Sequence, residues 1–114
     1  MSCSIDEIEN KVHSLGGLFI PAHVSRPKFS VISQLGFVPT DLKFDALGIS
    51  KFNSRDKLFN EQSYLSECAT IQSSDAHFLK DIGSVYTEFE LETASFDEIK
   101  MALKEEKNRR VIYQ

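Results

Sequence analysis

The order of the first helix and strand signals places the strongest limit on what this chain can fold into. Ser4-Ile5-Asp6-Glu7 has the spacing of a capping box, and apolar residues follow at helical intervals, which predicts a helix from about Ser4 to Leu15. The pair Gly16-Gly17 is a typical helix end. The apolar run from Leu18 to His23 follows at once and predicts a short buried strand. A helix that leads directly into a buried strand indicates an α/β fold.

The same alternation continues through the rest of the chain. Strands are predicted over 44–49, 69–73, 85–91 and 109–113, and the alternating polarity of 85–91 is typical of an edge strand with one solvated face. Short helical patches are predicted over 30–35, 54–59 and 64–68, and a capped helix from Ser95 to about Lys107. This order is typical of an α/β layered or barrel-type architecture.

Composition restricts the classes of function. A chain of 114 residues with 41% hydrophobic content predicts one domain, residues 1–114. A net charge of -4 disfavours a nucleic-acid partner, because the chain as a whole offers no attraction for phosphates. We also expect no membrane partner, because no apolar run is long enough to cross a bilayer and no signal peptide is visible. Cys3 and Cys68 have no metal-type spacing, so the chain is expected to be cytoplasmic with reduced thiols.

The segment Ser73-Ser74-Asp75-Ala76-His77 carries the clearest chemical signal. Asp75 and His77 are two residues apart just after a predicted strand, so their side chains share a face and can reach one ligand. A carboxylate with an imidazole suits zinc, manganese or iron. The alternative interpretation is an aspartate that caps a helix beside an incidental histidine.

Two further candidates follow the first predicted strand. His23 ends that strand and is a second candidate metal ligand, although a single histidine there is also typical of a hydrogen-bonded structural residue. Arg26 lies three residues further on and is a candidate phosphate contact, with a solvated surface arginine as the alternative. His13 lies among polar residues in the first helix and is predicted to be a surface residue.

Several motifs together resemble the C-terminal half of PHP-domain proteins, the polymerase and histidinol phosphatase family. The resemblance covers nearly the whole chain, in order, and its motifs are GLFIPAH (17–23), DAL (45–47), SSDAH (73–77) with DIG (81–83), and FDEIK (96–100). It implies the final strands and helices of a distorted (β/α)7 barrel whose strand ends carry a cluster of metal ions. It also implies that His23, Asp75 and His77 are metal ligands.

Two hypotheses for function follow. The first is that the chain is the C-terminal portion of a PHP-type phosphoesterase that hydrolyses phosphate esters with metal-activated water. The family's N-terminal His-x-His ligands have no counterpart here, so this portion is not expected to be active alone. The second hypothesis is a non-catalytic α/β module that acts by binding a partner or by forming a homo-oligomer over its exposed strand edges.

Overall fold

The computed structural model describes residues 4–24, 41–65 and 68–113. Three helices are present in these ranges: α1 (Ile5–Ser14), α2 (Arg55–Glu61) and α3 (Phe96–Leu103). Four strands accompany them: β1 (Leu47–Ile49), β2 (Thr70–Gln72), β3 (Glu88–Glu90) and β4 (Arg110–Ile112). Two 3-10 turns, Ser63–Leu65 and Leu79–Asp81, complete the regular structure. The predicted helical patch over 30–35 lies outside the described residues.

Helix α1 begins and ends as its sequence predicts. The Ser4 hydroxyl accepts a hydrogen bond from the backbone N–H of Glu7 at 3.2 Å. At the other end, the N–H groups of Gly16 and Gly17 donate to the carbonyls of His13 and Val12, each at 3.0 Å. This is the Schellman arrangement, and it requires the left-handed φ of +79° that Gly16 adopts. Capping at both ends therefore fixes the length of the helix.

A narrow parallel sheet forms the centre of the molecule. β1 pairs with β2 in parallel, with Leu47 opposite Thr70 and Ile49 opposite Gln72. The predicted strand over 18–23 is an extended segment rather than a regular strand, but it lies along the other side of β1. The N–H groups of Asp45 and Gly48 donate to the carbonyls of Phe19 and Pro21 at 2.9 and 2.8 Å. Within the described ranges, β1 thus lies between β2 and this extended segment, and all three run parallel.

The close approach of this segment to β1 depends on Gly48. A Cβ atom at Gly48 would lie 3.1 Å from the Cα of Ala22 and 3.2 Å from the backbone nitrogen of His23. Contacts that short involve backbone atoms, which a larger residue would displace. Gly48 therefore holds the segment in place directly before His23.

Hydrophobic residues cover both faces of the sheet. On one face, Leu47 and Ile49 pack with Leu58 of α2 and with Val24 and Leu65. On the other face, Ala46 packs with α3 and the β3–β4 pair, through a cluster that also includes Leu103, Val111, Ile20, Ile71 and Phe89. Leu47 of β1 and Ala46, directly before it, thus face opposite sides of the sheet, as the alternation of an extended chain requires. The α/β class predicted from the sequence is confirmed.

The antiparallel pair β3–β4 is joined to α3 by an ionic network. Arg109 contacts the carboxylate of Glu98 at 2.6 Å and also that of Glu92. The Arg109 guanidinium holds the pKa of the Glu98 carboxyl below its usual value. The helix predicted to reach Lys107 ends instead at Leu103, and positive φ angles at Glu105, Lys107 and Asn108 turn the chain back toward α3. This reversal is what brings Arg109 to its partners.

Candidate metal site at the carboxyl ends of the parallel strands

The predicted ligands all follow parallel elements of the central sheet. Asp75 and His77 come after β2, and His23 comes after the extended segment beside β1. In sheets of this kind, ligands bind beyond the carboxyl ends of the strands. The fold thus places the three residues predicted from sequence at the edge where a site is expected.

Asp75 and His77 share a tight local arrangement. The backbone of Asp75 has a left-handed φ of +50°, an uncommon conformation for a residue with a side chain. Its carbonyl oxygen lies 2.9 Å from Nδ1 of His77, which must donate the hydrogen bond because a carbonyl only accepts. Nε2 of His77 is then the nitrogen that offers a lone pair. This pattern is common among metal-ligating histidines.

His23 has two unusual features. Its backbone φ is +32°, and its Nδ1 atom is buried without a hydrogen-bond partner in the described part of the chain. Buried polar atoms are nearly always paired, so an unpaired one points to strain or to a missing ligand. Backbone strain of this kind is often found at functional sites.

The three residues do not form one complete metal site. Among residues 4–24, 41–65 and 68–113, no group of three or more histidine, cysteine, aspartate or glutamate side chains converges as a metal ion requires. The reason is topological: β1 lies between the His23 segment and β2, and members two places apart in a sheet are separated by about 10 Å. Arg26, the predicted phosphate contact, lies outside the described residues.

His13 is partly exposed, as expected of a surface residue, but the sequence did not predict its partners. His13 is not a free surface residue, because its Nδ1 lies 2.7 Å from Glu9 and its Nε2 lies 2.8 Å from Asp45. Asp45 also accepts a hydrogen bond from the N–H of Phe19 at 2.7 Å. The hydrogen bonds to Asp45 and then to Glu9 raise the pKa of His13 above 6.5. This bridge ties α1 to the central sheet.

Sequence reasoning also missed the role of Arg55. Its guanidinium lies over the rings of Tyr113 and Phe59, 3.8 and 4.5 Å from their centroids, and donates to Thr70 at 2.9 Å. The four-residue spacing between Arg55 and Phe59 signals one of these contacts. Tyr113 is 58 positions away from Arg55, and no local pattern connects them. A cavity of about 130 Å³ lies beside this group.

Comparison with known proteins agrees with the fold and its motifs. Residues 67–108 match a family model described as PHP-associated. The chain is 34% identical over 110 residues to the uncharacterized protein YqxK of Bacillus subtilis, covering 92% of this chain and 28% of that protein. The match to this PHP-associated model confirms the resemblance to PHP proteins that the sequence predicts.

A solved structure shows the same fold. It is the novel lesion-specific endonuclease PfuEndoQ from Pyrococcus furiosus, with a TM-score of 0.77 and 24% identity, covering 97% of this chain and 29% of that one. This chain thus spans less than a third of the length of either protein. In the described ranges, no helix combines the length and the apolar character needed to span a membrane.

Proposed function

We propose that this chain is the C-terminal portion of a PHP-type metal-dependent phosphoesterase, with His23, Asp75 and His77 as metal ligands. It would supply the last strands and helices of a distorted (β/α)7 barrel. The observation that carries the proposal is the Asp75–His77 turn. There, Nδ1 of the His77 imidazole donates to the backbone carbonyl of Asp75, which leaves Nε2 as the nitrogen that could bind a metal, and the Asp75 side chain is exposed.

The donor set fits the metals predicted from sequence. One carboxylate and two imidazoles suit zinc, manganese or iron better than calcium or magnesium, which prefer a shell of oxygen ligands. When bound, such a metal would activate water and neutralise charge on a phosphoryl group. Within this chain, the His77 bond to the Asp75 carbonyl orients the imidazole, and Gly48 positions the backbone that carries His23.

The substrate class follows from this chemistry and from the structural neighbour. Metal-activated water hydrolyses phosphate monoesters and diesters, and a lesion-specific endonuclease hydrolyses a phosphodiester of nucleic acid. The net charge of -4 gives this portion no general attraction for nucleic acid. If the substrate is a nucleic acid, its phosphates must therefore be bound mainly by residues outside this chain.

Elemental analysis tests the proposal directly. The chain is dialysed against trace zinc, manganese and iron, and its metal content is compared with that of Asp75→Ala, His77→Ala and the double variant His23→Ala/His77→Ala. We expect metal in the unmodified chain and a clear loss in each variant. Asp41→Ala is the control, because Asp41 is an exposed aspartate remote in sequence from the motif. Equal metal content in all these proteins would disprove the assignment of the ligands.

A second candidate function is a non-catalytic module that binds a partner. It is favoured by one observation, that the predicted ligands do not converge among the described residues. Because this portion is not expected to be active alone, a generic phosphodiester such as bis(p-nitrophenyl) phosphate is assayed with manganese or zinc and with the remaining part of the Bacillus subtilis relative present, which separates the two candidates. Turnover that His77→Ala abolishes supports the phosphoesterase, whereas partner binding without metal or turnover supports the module.

A further inference from the structure

Four contacts fix the guanidinium of Arg55, the first residue of α2. It lies over two aromatic rings, 3.8 Å from the ring centroid of Tyr113 and 4.5 Å from that of Phe59. One of its nitrogens, Nη1, donates to the carbonyl of Cys68 at 2.8 Å and to the hydroxyl of Thr70 at 2.9 Å. A guanidinium held in this way is already ordered, so binding a ligand to it costs little side-chain entropy.

These contacts use only part of the donor capacity of the group. Nε and Nη2 of Arg55 carry three further hydrogens, and they donate to no other residue in the described part of the chain. The Thr70 hydroxyl accepts from Arg55, and the Tyr113 hydroxyl accepts from the N–H of Thr70 at 3.2 Å. Each hydroxyl keeps its own proton, for which the described residues provide no acceptor.

Arg55, Thr70 and Tyr113 all line the cavity of about 130 Å³ beside them. A water molecule needs roughly 10–15 Å³ of such space, so the cavity has room for a ligand of several atoms. Thr70 is buried, and a buried donor without an acceptor is costly. Gln72 and Thr87 line the same cavity but bond to each other, from N–H to hydroxyl at 2.7 Å and from hydroxyl to carbonyl at 2.6 Å.

We propose that Arg55, Thr70 and Tyr113 form an oxyanion site, which binds a phosphate ion in this cavity. Phosphate offers mainly acceptor oxygens, and these three neighbouring residues offer unused donors. Arginine binds phosphate through two parallel N–H groups, and Arg55 has Nε–H and Nη2–H unused. None of the predicted metal ligands takes part in this site, which is therefore independent of the proposed function.

One carboxylate acts against an anion in the oxyanion site. Among the described residues that line the cavity, Arg55 is the only cation and Glu88 the only carboxylate. Repulsion by Glu88 should weaken phosphate binding without preventing it, because the phosphate oxygens bond directly to the donors of Arg55. Removing the charge of Glu88 should therefore strengthen the binding of an anion, and it should not strengthen the binding of a neutral or cationic ligand.

A titration with inorganic phosphate, followed by nuclear magnetic resonance on the metal-free chain, is the first test. We expect saturable shifts of the Arg55 Nε–H and of the Thr70 amide, with little change at the amides of Asp75 and His77. Acetate at the same ionic strength should bind more weakly, because it carries less charge and fewer oxygens, and chloride should give no saturable shift. Equal responses to phosphate and chloride, or no saturable shift at Arg55, would overturn the proposal.

A matched pair of charge-removing variants is the second test. Arg55→Met should weaken phosphate binding about tenfold, because hydrogen bonds to a charged group are lost. Lys57→Met removes the same charge from an exposed position of the same helix and should leave phosphate binding unchanged. Circular dichroism establishes that each variant is folded. An equal loss of affinity in the two variants would show a general effect of charge and would overturn the proposal.

Two milder variants keep the proposal testable if Arg55→Met does not fold. Tyr113→Phe keeps the ring over Arg55 but removes a donor, and it should weaken phosphate binding about threefold. Glu88→Gln should strengthen phosphate binding about threefold, because it removes a repelling charge. Phosphate affinity that neither substitution changes would overturn the oxyanion site.

The same titration with and without metal separates this site from the candidate metal site. Phosphate that shifts Arg55 in the metal-free chain supports the oxyanion site, even if the phosphoesterase assignment fails. Phosphate that binds only with zinc or manganese present, and is lost in His77→Ala, would place the anion at the metal and overturn the oxyanion site.

Discussion

His13 and His77 differ in how their ring nitrogens are used. Both nitrogens of His13 lie within hydrogen-bond distance of carboxylates, Glu9 and Asp45, so both must donate and the ring is held as the cation. His77 donates a hydrogen bond from Nδ1 to the backbone carbonyl of Asp75, and its Nε2 remains available. The comparison teaches that a histidine is a candidate metal ligand only when one ring nitrogen keeps a free lone pair. A histidine whose two ring nitrogens both donate hydrogen bonds is a structural bridge.

The largest expected effect is on metal affinity, where the two histidines should differ most. His77→Ala should lower the affinity for zinc or manganese by roughly a hundredfold, because loss of even an indirect partner of a metal typically costs about 10–100-fold. His13→Ala should leave metal affinity unchanged, since neither ring nitrogen of His13 is available. Isothermal titration with each metal measures both. A similar loss of affinity in the two variants would break the comparison.

The next largest effect is on stability, and here His13→Ala should have the larger effect and His77→Ala the smaller. His13→Ala should lower the free energy of unfolding by about 2 kcal/mol, because it leaves two largely buried carboxylates without their partner. His77→Ala should change it little, since His77 is exposed. Urea unfolding measures the difference. Equal destabilisation by the two substitutions would show that the bridge contributes no special stability.

Between pH 5.5 and about 9, the pH dependence of stability should follow His13. Its pKa in the folded protein is raised above 6.5 by the hydrogen bonds to Asp45 and Glu9, so folding favours the protonated ring. This contribution is fully present below pH 6.5 and is lost as the pH rises through the raised pKa. Urea unfolding from pH 5.5 to about 9 should show a decline that His13→Gln flattens. An unchanged profile in that variant would contradict this assignment.

The smallest effect is expected in the loop that follows His77. Leu79 is 88% exposed, so Leu79→Ser should change the free energy of unfolding by less than about 0.5 kcal/mol. Leu58→Ala, at a fully buried residue of α2, is the contrasting control and should cost about 2–5 kcal/mol. A large loss on Leu79→Ser would mean that this loop is packed against another part of the protein.

Local patterns predicted the elements that depend on local forces. The Ser4 cap, the glycine end of α1 and the strands around Leu47 and Thr70 all appear where their residues indicate. The second capping box was only half correct: Ser95 caps α3, but the carboxylate of Glu98 binds Arg109 and the N–H of Glu92. Glu98 binds Arg109 because the chain turns back toward α3 after that helix ends.

The candidate site also has one part that local sequence predicted and one part that only the fold decides. The spacing of Asp75 and His77 was enough to predict that they lie together, because two residues of one short turn remain neighbours in any fold. Whether His23 joins them depends on the order of the strands, and β1 lies between its segment and β2. No spacing in the sequence contains that order.

The sequence by itself thus determined the α/β class, the helix ends and the chemical character of the SSDAH motif, since caps, glycines and side-chain alternation act within a few residues. Tertiary structure alone decided that His13 binds Asp45, 32 positions away, and that Thr87 and Tyr113 close one edge of the sheet. These contacts join residues distant along the chain. They exist only because the folded core brings the participating backbone and side chains together.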